Sequence, residues 1–251
     1  MGGNVRTATL TSPMSTCAPP CLLAIDTATE WLSVGLLAPA GRWVRDEPGG
    51  ALASARLLPL VRELMQQASV GFEALDAIAF GQGPGAFTGL RTACSVAQGL
   101  AFGAGCPVLA LDSLQIVADG HAPADVPTVW VAMDARMDEV YAGHYRRDGA
   151  RWQVLQAPAL YTVPALSARW RAEAPAAVLG SAVTAFADRL PLGTAHCVDG
   201  SGQRADALLR LAQAAWEGGA PRLDAAQALP LYLRDKVALT TAEREAARAA
   251  A

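Results

Sequence analysis

The sequence predicts an α/β fold of two similarly built domains, each a mixed sheet flanked by helices. Three observations point there. Apolar runs of strand length alternate along the chain with segments whose apolar residues recur at helical spacing. A run that ends in Asp and opens a polar turn occurs twice, as Leu23-Ala24-Ile25-Asp26 and as Val131-Ala132-Met133-Asp134, at an offset of 108 residues. At the same offset Glu30 falls on Asp138 and Gly35 on Gly143, as in a duplicated unit. The length of 251 residues suits two domains with cores of their own.

The first copy reads as a β-hairpin. An apolar run over 21–26 leads into the turn Thr27-Ala28-Thr29-Glu30, and residues 31–37 are apolar again before Pro39-Ala40-Gly41. Residues 43–45 add a third strand ahead of Pro48-Gly49-Gly50. Residues 51–68 carry Leu57, Leu60, Val61, Leu64, Met65 and Ala68 on one stripe, which predicts a helix that kinks or starts near Pro59. A strand over 75–80 then enters Gly81-Gln82-Gly83-Pro84-Gly85-Ala86-Phe87-Thr88-Gly89-Leu90-Arg91, and a second helix follows over 88–103. A short strand over 107–111 ends at Asp112, and a Pro-containing linker spans 121–127.

The second copy has strands over 129–134 and 140–145. After it, residues 152–155 suggest a strand, 163–171 a helix, 176–180 a short strand and 205–217 a helix. Residues 224–229 lead into the extended segment Pro230-Leu231-Tyr232-Leu233-Arg234. Residues 240–251 are Ala-rich with alternating charge, and residues 1–20 have the composition of a loose tail without an apolar secretory core, with Met14 as an alternative start. The expected organisation is therefore a tail over 1–20, domains over 21–120 and 125–237 with a helix of the second free to pack back on the first, and a charged tail over 238–251.

Composition excludes several classes of function. No apolar run reaches the roughly 18 residues that span a bilayer. The formal charge of −3, without a basic stripe, is wrong for a protein that grips RNA alone. The five cysteines are scattered, and Cys17 and Cys21 lack a second pair or a nearby His, so they read as free thiols of a cytoplasmic protein. No two of the three histidines lie at i, i+4, so no metal-holding HxxxH helix exists. Gly-x-Ser-x-Gly is absent, and no His neighbours a Ser or Cys nucleophile. No catalytic residue and no metal ligand is assigned, and no cofactor is expected.

Three features could still carry function. Glycines at 81, 83, 85 and 89 permit close backbone approach, and the loop formally fits a dinucleotide fingerprint. Against that, a hairpin and a helix precede it, Pro84 removes a donor, and Arg91-Thr92 does not replace the Gly-Lys-Ser/Thr of a Walker loop. The paired Asp turns are the arrangement of actin-like and sugar-kinase-like ATPases, in which such turns cradle phosphates and the Asp holds a metal through water. The bland alternative is that Asp26 and Asp134 cap their own turns by accepting from backbone N–H groups. Asp26, Thr29, Gly83, Gly85, Thr88, Arg91 and Asp134 are the candidate residues of a vestigial, phosphate-loop-like arrangement. On the second helix, Gly89, Ala93, Ala97 and Ala101 form one row of small residues and Ser95, Gly99 and Gly103 another. Such rows suit close packing on a sheet or on a helix of another chain. The stripe from Leu57 to Leu64 offers a second such surface.

The motifs Leu23-Ala-Ile-Asp26-Thr-Ala-Thr29, Phe80-Gly-Gln-Gly-Pro-Gly-Ala-Phe-Thr-Gly-Leu-Arg91, Ala97-Gln-Gly-Leu100 and Met133-Asp-Ala-Arg-Met-Asp-Glu-Val-Tyr141 resemble the bacterial TsaB (YeaZ) family of tRNA threonylcarbamoyladenosine biosynthesis proteins. The resemblance runs from about residue 21 to about 237 and includes Pro230-Leu-Tyr-Leu-Arg234. It implies two actin-like domains of the ribonuclease H-like (ASKHA) class. It implies a non-catalytic paralogue of TsaD, the subunit that carries a metal-binding His pair and transfers threonylcarbamoyl to an adenosine of tRNA. The implied partners are TsaD and the ATPase TsaE, with self-association through a similar surface when TsaD is absent and tRNA met only through the complex. The implied partner surface lies on the helices over 52–68 and 88–103, and Leu57, Leu60, Val61, Leu64, Ala93, Ala97 and Leu100 are its candidate residues. Many relatives have a His where this chain has Ala53, so no role of that His carries over. The rival readings are an actin-like ATPase or small-molecule kinase using Asp26, Thr29 and Asp134, and a metallopeptidase, which the missing HxxxH opposes.

Overall fold

The computed structural model of the chain describes residues 19–149, 151–200, 202 and 204–234. The start at Met14, Cys17, residues 1–18 of the expected tail and the charged segment expected over 238–251 lie outside the described residues.

The first sheet contains β1 (Leu22–Asp26), β2 (Trp31–Ala38), β3 (Gly41–Pro48), β4 (Ala77–Gly83) and β5 (Val108–Asp112). Between them run α1 (Ala53–Ala68) and α2 (Phe87–Ala104), and α3 (Ser113–His121) follows β5. The second sheet contains β6 (Thr128–Asp134), β7 (Glu139–Asp148), β8 (Arg151–Thr162), β9 (Ala177–Leu179) and β10 (His196–Val198), with α4 (Val163–Ala172), the short α5 (Ala182–Ala185) and finally α6 (Ala205–Glu217). The strand orders are β3-β2-β1-β4-β5 and β8-β7-β6-β9-β10. Numbered within each domain both read 3-2-1-4-5, antiparallel through the hairpins and parallel across the pairs β1–β4, β4–β5, β6–β9 and β9–β10. This is the duplicated mixed sheet that the repeated hairpin predicts.

β1 and nearly all of β2 are buried on both faces, which is why they read as continuous apolar runs rather than as alternation. Leu23, Ile25, Val34 and Leu36 meet α1 and α2 on one face. On the other face Leu22, Ala24 and Leu37 meet Ala207, Leu208, Leu209 and Ala212 of α6. In the second domain Trp130, Ala132, Val140 and Ala142 lie under α4 and α5, while Val129 and Val131 face Leu114, Val117 and Ala118 of α3. The last helix of each half therefore crosses to cover the other half's sheet. The segment after α6 also returns to the first domain, where Leu223 bridges to Val108 and Ala228 is fully buried.

The sequence repeat and the structural repeat are out of phase. An offset of 108 residues matches Leu23 and Ile25, which face α1 and α2, to Val131 and Met133, which face α3. The residues under the equivalent helices α4 and α5 are Trp130 and Ala132. Side chains alternate faces at every residue of a strand, so a slip of one turns each matched pair to opposite sides. The hairpin registers differ in the same sense: Ala24 pairs with Gly35, whereas Val131, not Ala132, pairs with Gly143. Gly35 admits α6, since a Cβ there would lie 3.0 Å from Leu209, whereas a Cβ at Gly143 would meet Tyr145.

Several elements differ from expectation. α1 runs unbroken from Ala53 with Pro59 inside it. β4 continues into the glycine segment as far as Gly83. β8 is a 12-residue edge strand where only 152–155 was expected. α3, α5 and β10 were not foreseen. α3 had a readable start: Asp112 caps it, accepting from Leu114 N at 2.8 Å and Gln115 N at 3.3 Å.

Candidate functional site

A cleft of about 1050 Å³ opens between the domains, bordered by the turns after β1 and β6, the start of α2 and residues 231–234. Beneath the turn Thr27–Glu30 at its floor, Asp26 is 1% exposed. Its Oδ1 accepts from Ala28 N at 2.8 Å, capping the turn. Its Oδ2 lies 2.7 Å from Nη2 of Arg204, a charge pair in contact, with both side chains at most 2% exposed. The same Nη2 donates to the Ser113 carbonyl at 2.9 Å. Asp46 of β3 holds Arg204 in place, because its Oδ1 accepts from Arg204 N at 2.9 Å, Ala205 N at 3.0 Å and Ser33 Oγ at 2.6 Å. These contacts place a carboxylate at the N-terminus of α6, where the helix dipole favours it. Sequence reasoning missed Arg204 entirely.

The glycine loop is filled by its own chain. A Cβ at Gly81 would lie 2.6 Å from the Asp26 carboxyl, and one at Gly85 would lie 2.5 Å from the Ala28 carbonyl oxygen. At Gly89 the Thr27 carbonyl oxygen stands where a Cβ would go, and Thr27 Oγ1 donates to the Gly89 carbonyl at 2.6 Å. Ala86 N donates to the Ala28 carbonyl at 2.8 Å. Gly83 has φ +120, and a Cβ there would lie 2.8 Å from the Leu231 carbonyl oxygen. The close approaches that glycine permits are thus made to the β1–β2 turn and to the C-terminal segment. Thr29 Oγ1 accepts from Trp31 N at 3.2 Å. Thr88 and Arg91 are exposed on α2, and the Arg91 guanidinium lies 4.0 Å above the Phe87 ring.

The turn after β6 is built differently. Asp134 Oδ1 accepts from Arg136 N at 2.8 Å, and Oδ2 accepts from Arg136 Nη1 at 3.3 Å. Arg136 also reaches Glu30 across the cleft at 3.5 Å and remains 76% exposed. Arg136, Met137 and Asp138 are successive left-handed residues with φ of 63°, 56° and 60°. Left-handed backbone costs non-glycine residues roughly 1–2 kcal/mol each. Two arginines hold the turn. Arg189 grips both oxygens of Asp138 at 2.7 and 3.0 Å, and that hydrogen bonding keeps the Asp138 carboxyl below the usual range. Arg234 donates to the carbonyls of Ala135 and Arg136 at 3.0 and 3.2 Å and to Glu139 Oε2 at 2.5 Å.

Two more aspartates tie the domains together. Tyr145 OH donates to Asp112 Oδ2 at 2.7 Å, where burial pushes the Asp112 carboxyl up and, together with the Asp112 charge, raises the Tyr145 phenol far above its ordinary value. Asp119 accepts from Trp152 Nε1 at 2.9 Å and from Arg210 Nε at 2.8 Å.

An actin-like cleft implies a metal-bound nucleotide, and the residues present do not fit one. Asp26 is buried against the Arg204 guanidinium, both oxygens of Asp134 accept from Arg136, and the glycine loop has no room for a phosphate beside the β1–β2 turn. Among the described residues no three His, Cys, Asp or Glu side chains converge as a metal site, and Cys21, Cys94, Cys106 and Cys197 are free thiols. No helix among the described residues is long and apolar enough to cross a membrane.

The residues expected at a partner surface face inward. Leu57, Leu60, Val61, Leu64, Ala93 and Ala97 are 0% exposed, and Leu100 packs against the same core. The cause is the sheet beneath, which claims the apolar stripe of each helix. Leu58 of α1 and Phe102 of α2 are exposed by 43% and 84%, and Leu52, which caps the start of α1, by 69%. On α2 a Cβ at Gly99 or Gly103 would meet open space, unlike one at Gly89, so the row Ser95, Gly99, Gly103 is the outward one.

Comparison with known proteins agrees with this architecture. Residues 51–238 match the family model described as TsaD, tRNA N6-adenosine threonylcarbamoyltransferase. The chain is 40% identical over 131 residues to the tRNA threonylcarbamoyladenosine biosynthesis protein TsaB of Haemophilus influenzae, covering 52% of this chain and 56% of that protein. It is 39% identical over 128 residues to the TsaB protein of Escherichia coli, covering 51% and 55%. The chain thus spans about half the length of the curated relatives it matches. The solved structure of YeaZ from Pseudomonas aeruginosa is 40% identical, superimposes with a TM-score of 0.76, and is covered over its whole length by 85% of this chain.

Proposed function

Because the chain belongs to the TsaB/YeaZ family, we propose that it is a non-catalytic subunit in the cytoplasmic biosynthesis of threonylcarbamoyladenosine in tRNA, acting by pairing with the catalytic paralogue TsaD. The observation that carries the non-catalytic reading is the buried Asp26–Arg204 pair, which commits the carboxylate beneath the cleft to an internal cation. The role is then one of surface. The exposed surface of α1 and α2 supports it, with Leu52 at the start of α1, Leu58 on α1, and Phe102 and the open row of Ser95, Gly99 and Gly103 on α2. Gly at such a row lets a second helix approach closely, and exposed apolar side chains at its edges gain from burial. The candidate surface therefore uses the same two helices as expected but their opposite face. Binding there would favour the partner's competent conformation by differential affinity. TsaE would join the pair, a second copy would use the same face when TsaD is absent, and tRNA would be met through the complex.

Co-purification with the catalytic paralogue tests this. The wild-type chain is expected to retain TsaD, and Gly99→Arg and Phe102→Asp are expected to weaken retention at least about tenfold, or about 1.4 kcal/mol, while the isolated variants stay folded. Folded variants that still retain TsaD and still support tRNA modification would show that the surface lies elsewhere. Equilibrium dialysis with Mg·ATP addresses the kinase reading, for which saturable binding by the isolated chain would be required.

A further inference from the structure

The segment from Ala228 to Arg234 has no regular secondary structure, yet it is fixed at both ends to different domains. Its first contacts are with the first domain. The Ala228 carbonyl accepts from Gln98 Nε2 at 2.8 Å and from Cys94 Sγ at 3.2 Å on α2. Leu231 N donates to the Gln82 carbonyl at 2.7 Å, beside the Gly83 position that leaves room for the Leu231 carbonyl. The Tyr232 ring lies 5.3 Å from the Phe87 ring, and Arg91 Nε donates to its hydroxyl at 2.9 Å. Two residues later Arg234 reaches the second domain, where its guanidinium gathers the carbonyls of Ala135 and Arg136, the Glu139 carboxylate and, at 3.3 Å, the Met137 sulfur. Residues 231–234 also line the interdomain cleft.

We propose that residues 228–234 form a strap across the mouth of the cleft that sets the angle between the domains, with Arg234 as the latch and the left-handed Arg136–Asp138 turn as its catch. The turn suits this task. Left-handed residues in succession are unfavourable unless outside groups hold them. Arg234 is one such group, because it collects two backbone carbonyls and a carboxylate that the turn brings together. The glycine segment suits it as well. Gly83 receives the strap's backbone, so the loop that resembles a phosphate cradle serves as the seat of the chain's own C-terminal segment. Arg91 and Phe87 at the start of α2 hold the middle, so a change at α2 is passed along a short extended segment to the far lip of the cleft.

A strap makes reciprocal demands that a set of local contacts does not. In the full chain, Arg234→Ala should raise hydrogen exchange at least tenfold at the turn it touches and also at the Leu231 amide in the first domain. Tyr232→Ala, at a residue 43% exposed, should raise exchange at least tenfold at the amides of Ala135 and Glu139 in the second domain, which it does not touch. Effects confined to the mutated end, with the far end within twofold of wild type, would overturn the proposal. If either variant loses protection throughout β1 and β6, the milder Arg234→Lys and Tyr232→Phe are read by the same cross-domain criterion.

Discussion

Asp26 and Asp134 close the first strands of two sheets with the same topology, and each accepts from the amide two residues on. There the likeness stops. Asp26 shares a face with Leu22 and Ala24, towards α6, and is sealed against a buried arginine. Asp134 shares a face with Trp130 and Ala132, towards α4 and α5, and is paired with an arginine in solvent. The first turn is a packing element, with Ala28 pressed against Gly85 of the loop and Thr27 against Gly89 in the first turn of α2. The second is a held loop at the rim. A repeated motif therefore specified a repeated local cap, while the surroundings decided whether each cap became floor or lip.

The largest effect should come from breaking the buried pair. Arg204→Met leaves the Asp26 charge alone inside the protein and should cost about 3–5 kcal/mol in urea unfolding, most of it recovered in the Asp26→Asn/Arg204→Met double variant. Equal losses in the single and double variants would show that packing, not charge, governs the floor. Next is Gly89→Ala, whose methyl collides with the Thr27 carbonyl and should cost about 1–3 kcal/mol. The same change at Gly99, in open space on the same helix, should instead gain about 0.5–1 kcal/mol.

Asp112, at the seam between the two regions, should appear in the pH dependence. Burial raises its folded pKa, so its contribution is full below the ordinary carboxylate value of about 4 and is lost as pH rises through the raised folded value. Stability relative to Asp112→Asn should therefore fall for the wild type from about pH 4 upward; a flat difference would mean that the hydrogen bonds to the ionised form offset its burial, and a rise that they outweigh it. The smallest effect belongs to the rim: Arg136→Ala should change stability by less than about 1 kcal/mol, measured at low and high salt.

The hairpins and the long helices were legible because their signals are local: a short apolar run, a turn residue, a stripe at helical spacing. The destination of a stripe is not local. Leu57 to Leu64 and Ala93 to Ala97 mark a buried helix face, but only the position of the sheet shows that the burial is internal. Arg204 was invisible for a similar reason. It is a charged residue far along the chain from Asp26, and only the return of α6 to the first sheet brings the two together. The phase slip between the repeats was hidden too, because a match of short apolar runs tolerates a shift of one residue that the pleat does not.

The crossing of α3 and α6 has a consequence for assembly. Neither half owns all the apolar surface that covers its sheet: Leu114 and Val117 close the second sheet, and Leu208 and Leu209 close the first. Expressed alone, each half would be an incomplete body with one bare sheet face, and the two would have to fold on each other. Two similar domains joined in this way are expected to unfold together in a single transition, as one cooperative unit rather than two modules on a linker.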